Sequence, residues 1–146
     1  MKTERLDPHA AAPEAIKTML NVERYLSSCS LEHSLIELVK MRASQINGCA
    51  FCLNMHSRDA RKAGETEQRL YLLNAWHEAS CYTDRERAAL AWTEALTLLT
   101  QGHVPDEVYE EARGQLGERE LTDLTLLVGQ INNWNRFAIG FRYQHD

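Results

Sequence analysis

The chain has no apolar run approaching the length of a membrane span and no charged-then-apolar leader at its amino end, so a cytoplasmic protein is expected. It also lacks any block of Lys or Arg, and with a net charge of −5 neither nucleic acid nor an anionic membrane suits it as a partner. Four cysteines in 146 residues are too few for a disulfide scaffold. Sustained apolar/polar alternation is missing too, which removes the signature of half-buried strands. The few glycines and prolines, seven and three, are read as breaks between helices.

What is present is helical periodicity. The hydrophobic share of 44% is ordinary for a globular chain, and the length suffices to bury a core. Residues 1–12 read as a polar, extended arm. Pro13-Glu14 suit the first turn of a helix carrying Ile16, Met19, Leu20, Tyr25 and Leu26. Ser30 is the expected N-cap of a second helix, with Leu35, Ile36, Val39, Ala43 and Ile46 on its apolar face. Asn47-Gly48 stops it. A third helix runs from Cys49 to Ala63, ended by Gly64, and Thr66 caps a short one reaching Trp76. Thr83 and Glu86 have capping-box spacing for a helix ending near Gly102. Pro105 to Gly117 forms another, and the last begins near Glu120. The expectation is all-α: one domain of about seven helices around a central helical hairpin.

That hairpin collects the chemistry. Cys49 and Cys52 form a C-x-x-C pair, and His56 follows Cys52 by four residues, so one helix face can carry all three. Glu37 precedes Gly48 by roughly 16 Å of helix at about 1.5 Å per residue. His56 follows Gly48 by roughly 12 Å of the returning helix at the same rise, which permits a carboxylate–imidazole contact across the hairpin. In a reducing compartment a C-x-x-C is redox-active or metal-binding more readily than a staple. A structural zinc site would need a fourth ligand, with Glu37, Cys29 or Cys81 available, but no second ligand pair accompanies it. Two inert, buried cysteines are the plain alternative.

The array Glu37, Cys49-x-x-Cys52, His56, within R-x-S-Q-I-N-G-C-A-F-C and H-S-R-D-A-R-K-A-G-E, resembles the signature of AhpD-like alkyl hydroperoxidases of the carboxymuconolactone decarboxylase superfamily. E-R-A-A-L-A-W from Glu86 and N-W-N-R from Asn133 carry the likeness further along the chain. The resemblance implies a thiol-dependent peroxidase in which Cys52 attacks the peroxide, Cys49 resolves it, and His56 and Glu37 relay protons. It implies a hydroperoxide substrate, an external dithiol reductant, no cofactor or resident metal, and a homo-oligomer, hexamer or trimer. Some members carry a histidine where this chain has Phe51, so a relay through that position is absent or rerouted. A lactone decarboxylase and a non-enzymatic oligomeric module are the competing readings.

The remaining candidates receive plainer expectations. Cys29 and Cys81 read as lone core or near-surface thiols. His9, His33, His77, His103 and His145 show no partner spacing and read as surface or satisfied polar residues. Arg136 is left unassigned. Trp76, Trp92, Trp134, Phe137 and Phe141 exceed what one chain of this length readily hides, which points to subunit contacts.

Overall fold

The computed structural model describes residues 3–145. Among these are eight α-helices and no strand: α1 (Pro8–Ala11), α2 (Pro13–Ser27), α3 (His33–Asn47), α4 (Ala50–Lys62), α5 (Glu67–Leu72), α6 (Asp84–Thr97), α7 (Asp106–Gln115) and α8 (Glu118–Phe141). A single 3-10 turn (Leu73–Ala75) follows α5. The all-α expectation therefore holds, with one more helix than foreseen. It lies in the segment read as an extended arm: Pro8 opens a turn whose first free amide, that of His9, is taken by the Asp7 carboxylate.

Helix α3 is the axle. It packs against α4, α6 and α8, and eight of its side chains are buried, including Leu35, Leu38, Val39 and Ala43. A helix buried on nearly every side belongs in the middle of a bundle. On one side, Leu35, Ile36 and Val39 meet Trp92, Leu124, Leu127 and Val128. On another, Leu38 and Met41 meet Leu70, Leu73, Trp76 and Leu90. A third, smaller cluster contains Cys49, Cys52 and Ala138, flanked by Phe51 and Tyr143.

The ends of α3 and α4 show why the hairpin forms where it does. Gly48 takes a left-handed conformation at φ 68°, its N–H bonding Gln45 and that of Cys49 bonding Ser44. This paired closure satisfies the last carbonyls of α3 and reverses the chain. Gly64 ends α4 in the same way, at φ 99°. The Thr83–Glu86 capping box is present at the start of α6.

Several local expectations are corrected. Ser30 caps nothing on α3, which begins at His33 after Glu32; its hydroxyl is claimed instead by Asp123 of α8, at 2.6 Å. Helix α6 stops at Thr97, and the stretch to Gly102 continues as turns closed by bonds such as Gln101 N–H to Leu98 O. Glycines 114, 129 and 140 lie inside α7 and α8. Trp76 and Trp92 are buried within the chain itself, so they offer nothing to a subunit contact. The exposed apolar residues are others, among them Leu20, Tyr71, Leu72, Leu126 and Ile139. No helix among the described residues is long and apolar enough to cross a membrane.

Candidate active site

Cys49 occupies the N-cap position of α4, and its sulfur accepts the Cys52 N–H at 3.3 Å. The two cysteines are joined as a disulfide with their Cα atoms 5.4 Å apart. Both are almost wholly buried. A helix amino terminus concentrates unpaired N–H groups and the positive end of the dipole, which favours thiolate over thiol once the bond is reduced.

His56 lies one turn beyond Cys52 on α4, and Glu37 faces it from α3. His56 Nδ1 and Glu37 Oε2 are 3.1 Å apart, and both residues are about 95% buried, at 6% and 5% exposure. An ionised carboxylate only accepts, so Nδ1 is the donor in this contact. Burial pushes the Glu37 pKa upward. The hydrogen bond from His56, with the charges of His56, Lys40 and His33, outweighs it and holds the carboxyl below its usual range. The arrangement thus fixes the orientation of the imidazole.

The structure brings all four foreseen residues, Glu37, Cys49, Cys52 and His56, to the α3–α4 hairpin. It adds what sequence reading passed over. His33 sits four residues before Glu37, and its Nε2 lies 3.8 Å from Glu37 Oε1. That i, i+4 offset was visible in the sequence. Asp59, three residues after His56, brings its carboxylate to the same place. His77 likewise has a partner, Glu94 at 3.0 Å. Arg136 bonds the Asn132 carbonyl on its own helix. Cys29 and Cys81 are free and half-buried against the two larger cores.

A cleft of about 620 Å³ opens beside Cys49 and is lined by it, Phe51, Arg5, Arg142 and Tyr143, among others; Cys52 does not line it. Phe51 meets Tyr143 edge-on at 5.3 Å between ring centres. Burial raises the Tyr143 pKa, and its hydroxyl is the buried side-chain polar atom without a partner among the described residues.

A helical hairpin that presents a C-x-x-C at the start of its second arm, backed by a buried Glu–His pair, defines an AhpD-like fold. Residues 10–95 match the carboxymuconolactone decarboxylase family, and the chain belongs to it. An uncharacterized protein of Bacillus subtilis (strain 168), YdfG, is 46% identical over 137 residues, covering 94% of this chain and 93% of that protein. A crystal structure from Agrobacterium tumefaciens, of a protein of unknown function linked by name to AhpD and antioxidant defence, superposes with a TM-score of 0.95. It is 42% identical, over 99% of both chains. The debrominase Bmp8 shares the fold at a TM-score of 0.80 and 16% identity, over 94% of this chain and 74% of that one.

Proposed function

We propose that this protein is a thiol-dependent peroxidase that reduces hydroperoxides through the Cys49–Cys52 pair. The observation that carries the reading is the disulfide formed beside the buried Glu37–His56 pair. Lactone decarboxylation has no use for two cysteines able to bond to each other, and a passive module has none for a buried, oriented imidazole.

Cys52 is the attacking residue, because His56 stands one turn from it on the same helix and can take its proton. The Cys52 thiolate attacks one peroxide oxygen, the O–O bond breaks, and an alcohol leaves with a proton delivered by His56. Cys52 is then a sulfenic acid. Cys49 attacks the Cys52 sulfur, its thiol proton leaves with the sulfenic hydroxyl as water, and the disulfide forms before further oxidation. An external dithiol resets the pair. Its thiolate attacks the Cys49 sulfur from the cleft, releasing Cys52 as thiolate, and its second thiol then frees Cys49 and departs as a disulfide. That Cys49 lines the cleft supports this order.

The test is a dithiol-coupled peroxidase assay on the wild type and Cys52→Ser. Turnover in the wild type and its loss in the variant are expected; equal rates would sink the reading. We place the protein in the cytoplasm, where a dithiol pool exists, and infer a homo-oligomer, hexamer or trimer with closed symmetry. Exposed Leu20, Tyr71, Leu72, Leu126 and Ile139 support association. A monomeric mass by light scattering at micromolar concentration would reject it.

A further inference from the structure

Two side-chain pairs face each other across the hairpin, away from the cysteine cleft. Helix α3 contributes His33 and Glu37, spaced i, i+4; α4 contributes His56 and Asp59, spaced i, i+3. Each pair lies on one face of its helix. One ligand atom each from Glu37, His56 and Asp59 lie within 4.8 Å of one another. His33 Nε2 stands 3.8 Å from the other oxygen of Glu37. Glu37 is therefore shared, with one oxygen toward His56 and one toward His33. Beside it lies a small cavity of about 160 Å³, lined by His33, Ser34, Glu37, Leu38 and Ala60 among others.

Two imidazoles and two carboxylates are a mixed nitrogen–oxygen donor set, and facing helices of a bundle are where such sets form metal sites. The spacing suits a small ion. Bonds of about 2.0 Å at tetrahedral angles put neighbouring donors about 3.3 Å apart. The observed 3.1 Å from His56 to Glu37 needs only a slight opening. His33 lies outside the group of Glu37, His56 and Asp59, 3.8 Å from the second Glu37 oxygen, and both His33 and Asp59 are exposed and must swing inward to complete the shell. Magnesium and calcium prefer all-oxygen shells, so imidazole pairs select against them.

We propose that His33, Glu37, His56 and Asp59 form a binding site for a borderline divalent transition ion of the Zn²⁺ class, which inhibits the enzyme reversibly. The inhibitory part rests on the peroxidase reading; the binding part does not. An ion held by His56 Nδ1 and Glu37 takes the place of the proton they share, which passes to Nε2 or to water. With the ion on Nδ1 and a proton on Nε2 the imidazole is fully occupied, so it can no longer take the Cys52 proton and return it. His33 and Asp59 neither take nor return the Cys52 proton, so they can be replaced without removing His56 or Glu37, and the His33 charge enters only as one contribution to holding Glu37 ionised.

The experiment uses the oxidised full chain, so that the disulfide withholds Cys49 and Cys52, with Cys29 and Cys81 alkylated. Zn²⁺ is titrated in by calorimetry in a non-chelating buffer. One ion per chain is expected, with affinity at least tenfold weaker in His33→Gln and in Asp59→Asn, and unchanged in His77→Gln, which removes the other imidazole–carboxylate pair. Both test positions are exposed, and far-ultraviolet circular dichroism verifies the helices. No binding in the wild type, or unchanged affinity in either test variant, overturns the site. Binding with the expected pattern but no slowing of turnover by Zn²⁺ overturns the inhibition. Binding in a protein without peroxidase activity leaves the ion site standing and rejects the catalytic reading.

Discussion

Asn47, the last residue of α3, donates its side-chain N–H₂ to Asn135 of α8 at 2.8 Å and, with the same group, to Asn132 at 2.9 Å. The hairpin turn that precedes Cys49 is thereby tied to the helix whose Ala138 packs against the cysteines. Neither acceptor can turn its amide around freely. Asn132 spends its own N–H₂ on Thr97 Oγ1 and the Val128 carbonyl, and Asn135 spends its on Ser44 Oγ.

Asn47→Asp therefore sets an acceptor against two fixed acceptors. The expected cost is about 1–3 kcal/mol, the range for a buried polar group left without its partner. In a chain of this size each kcal/mol lowers the melting temperature by about 2–4 °C. An unchanged thermal midpoint would show that the amide fork carries no load.

Glu37→Gln removes the carboxylate that orients His56 while keeping its shape. Turnover is expected to fall by about 10²-fold or more, the usual worth of positioned acid–base help, with helicity retained. Equal steady-state rates for variant and wild type across pH 6 to 8 would reject a relay through this pair.

The two cysteines are separable by trapping. Cys49 holds the N-cap, where the dipole is strongest, yet only Cys52 has an imidazole one turn away. In Cys49→Ser, peroxide is expected to leave a sulfenic acid on Cys52 that a dimedone-type reagent labels. In Cys52→Ser, labelling of Cys49 is expected to be far slower. The reverse pattern would exchange the roles and leave the redox chemistry in place.

Asp123 gives a pH signature unrelated to catalysis. Burial works to raise its pKa, but hydrogen bonds from the Ser30 hydroxyl, the Tyr25 hydroxyl and the Ser30 N–H together hold the carboxyl below its usual range. A depressed folded-state pKa contributes stability that is present above the unfolded value of about 3.9 and lost as pH falls through the folded value. Asp123→Asn is expected to be less stable at pH 7 by about 1.5–3 kcal/mol, the worth of a hydrogen bond to a charged group. The gap should narrow toward pH 3 in urea titrations. A gap that stays constant with pH would mean the charge contributes nothing.

Much of this site was legible in the sequence because its residues obey helical spacing and a glycine marks the reversal. Cys49, Cys52 and His56 follow from offsets of three and four, and Glu37 from comparable, though unequal, distances along two arms joined at Gly48. His33 and Asp59 obey the same offsets, but single exposed polar residues at helical spacing are common, and only the fold shows that both flank Glu37. Ser30 misled for a different reason. A serine before a helix is a good local cap, but Asp123, far along the chain, offers a buried carboxylate that wins its hydroxyl. Turn-sized structure was least visible: the four residues of α1 depend on one Asp7 contact and on Pro8 being buried.

The cysteines pack in a small cluster of their own, with Ala138, Phe51 and Tyr143, apart from the two large cores that α3 builds. Substitutions at well-separated sites without shared partners act almost independently. The interior can therefore drift: Leu35 or Leu90 can be exchanged and repacked over generations without disturbing what surrounds the sulfurs. Conversely the lining at Phe51 and Tyr143 can be remodelled for a new molecule while the bundle stays as it is. That separation is a structural reason for one helical fold to be shared by this chain and a debrominase of 16% identity.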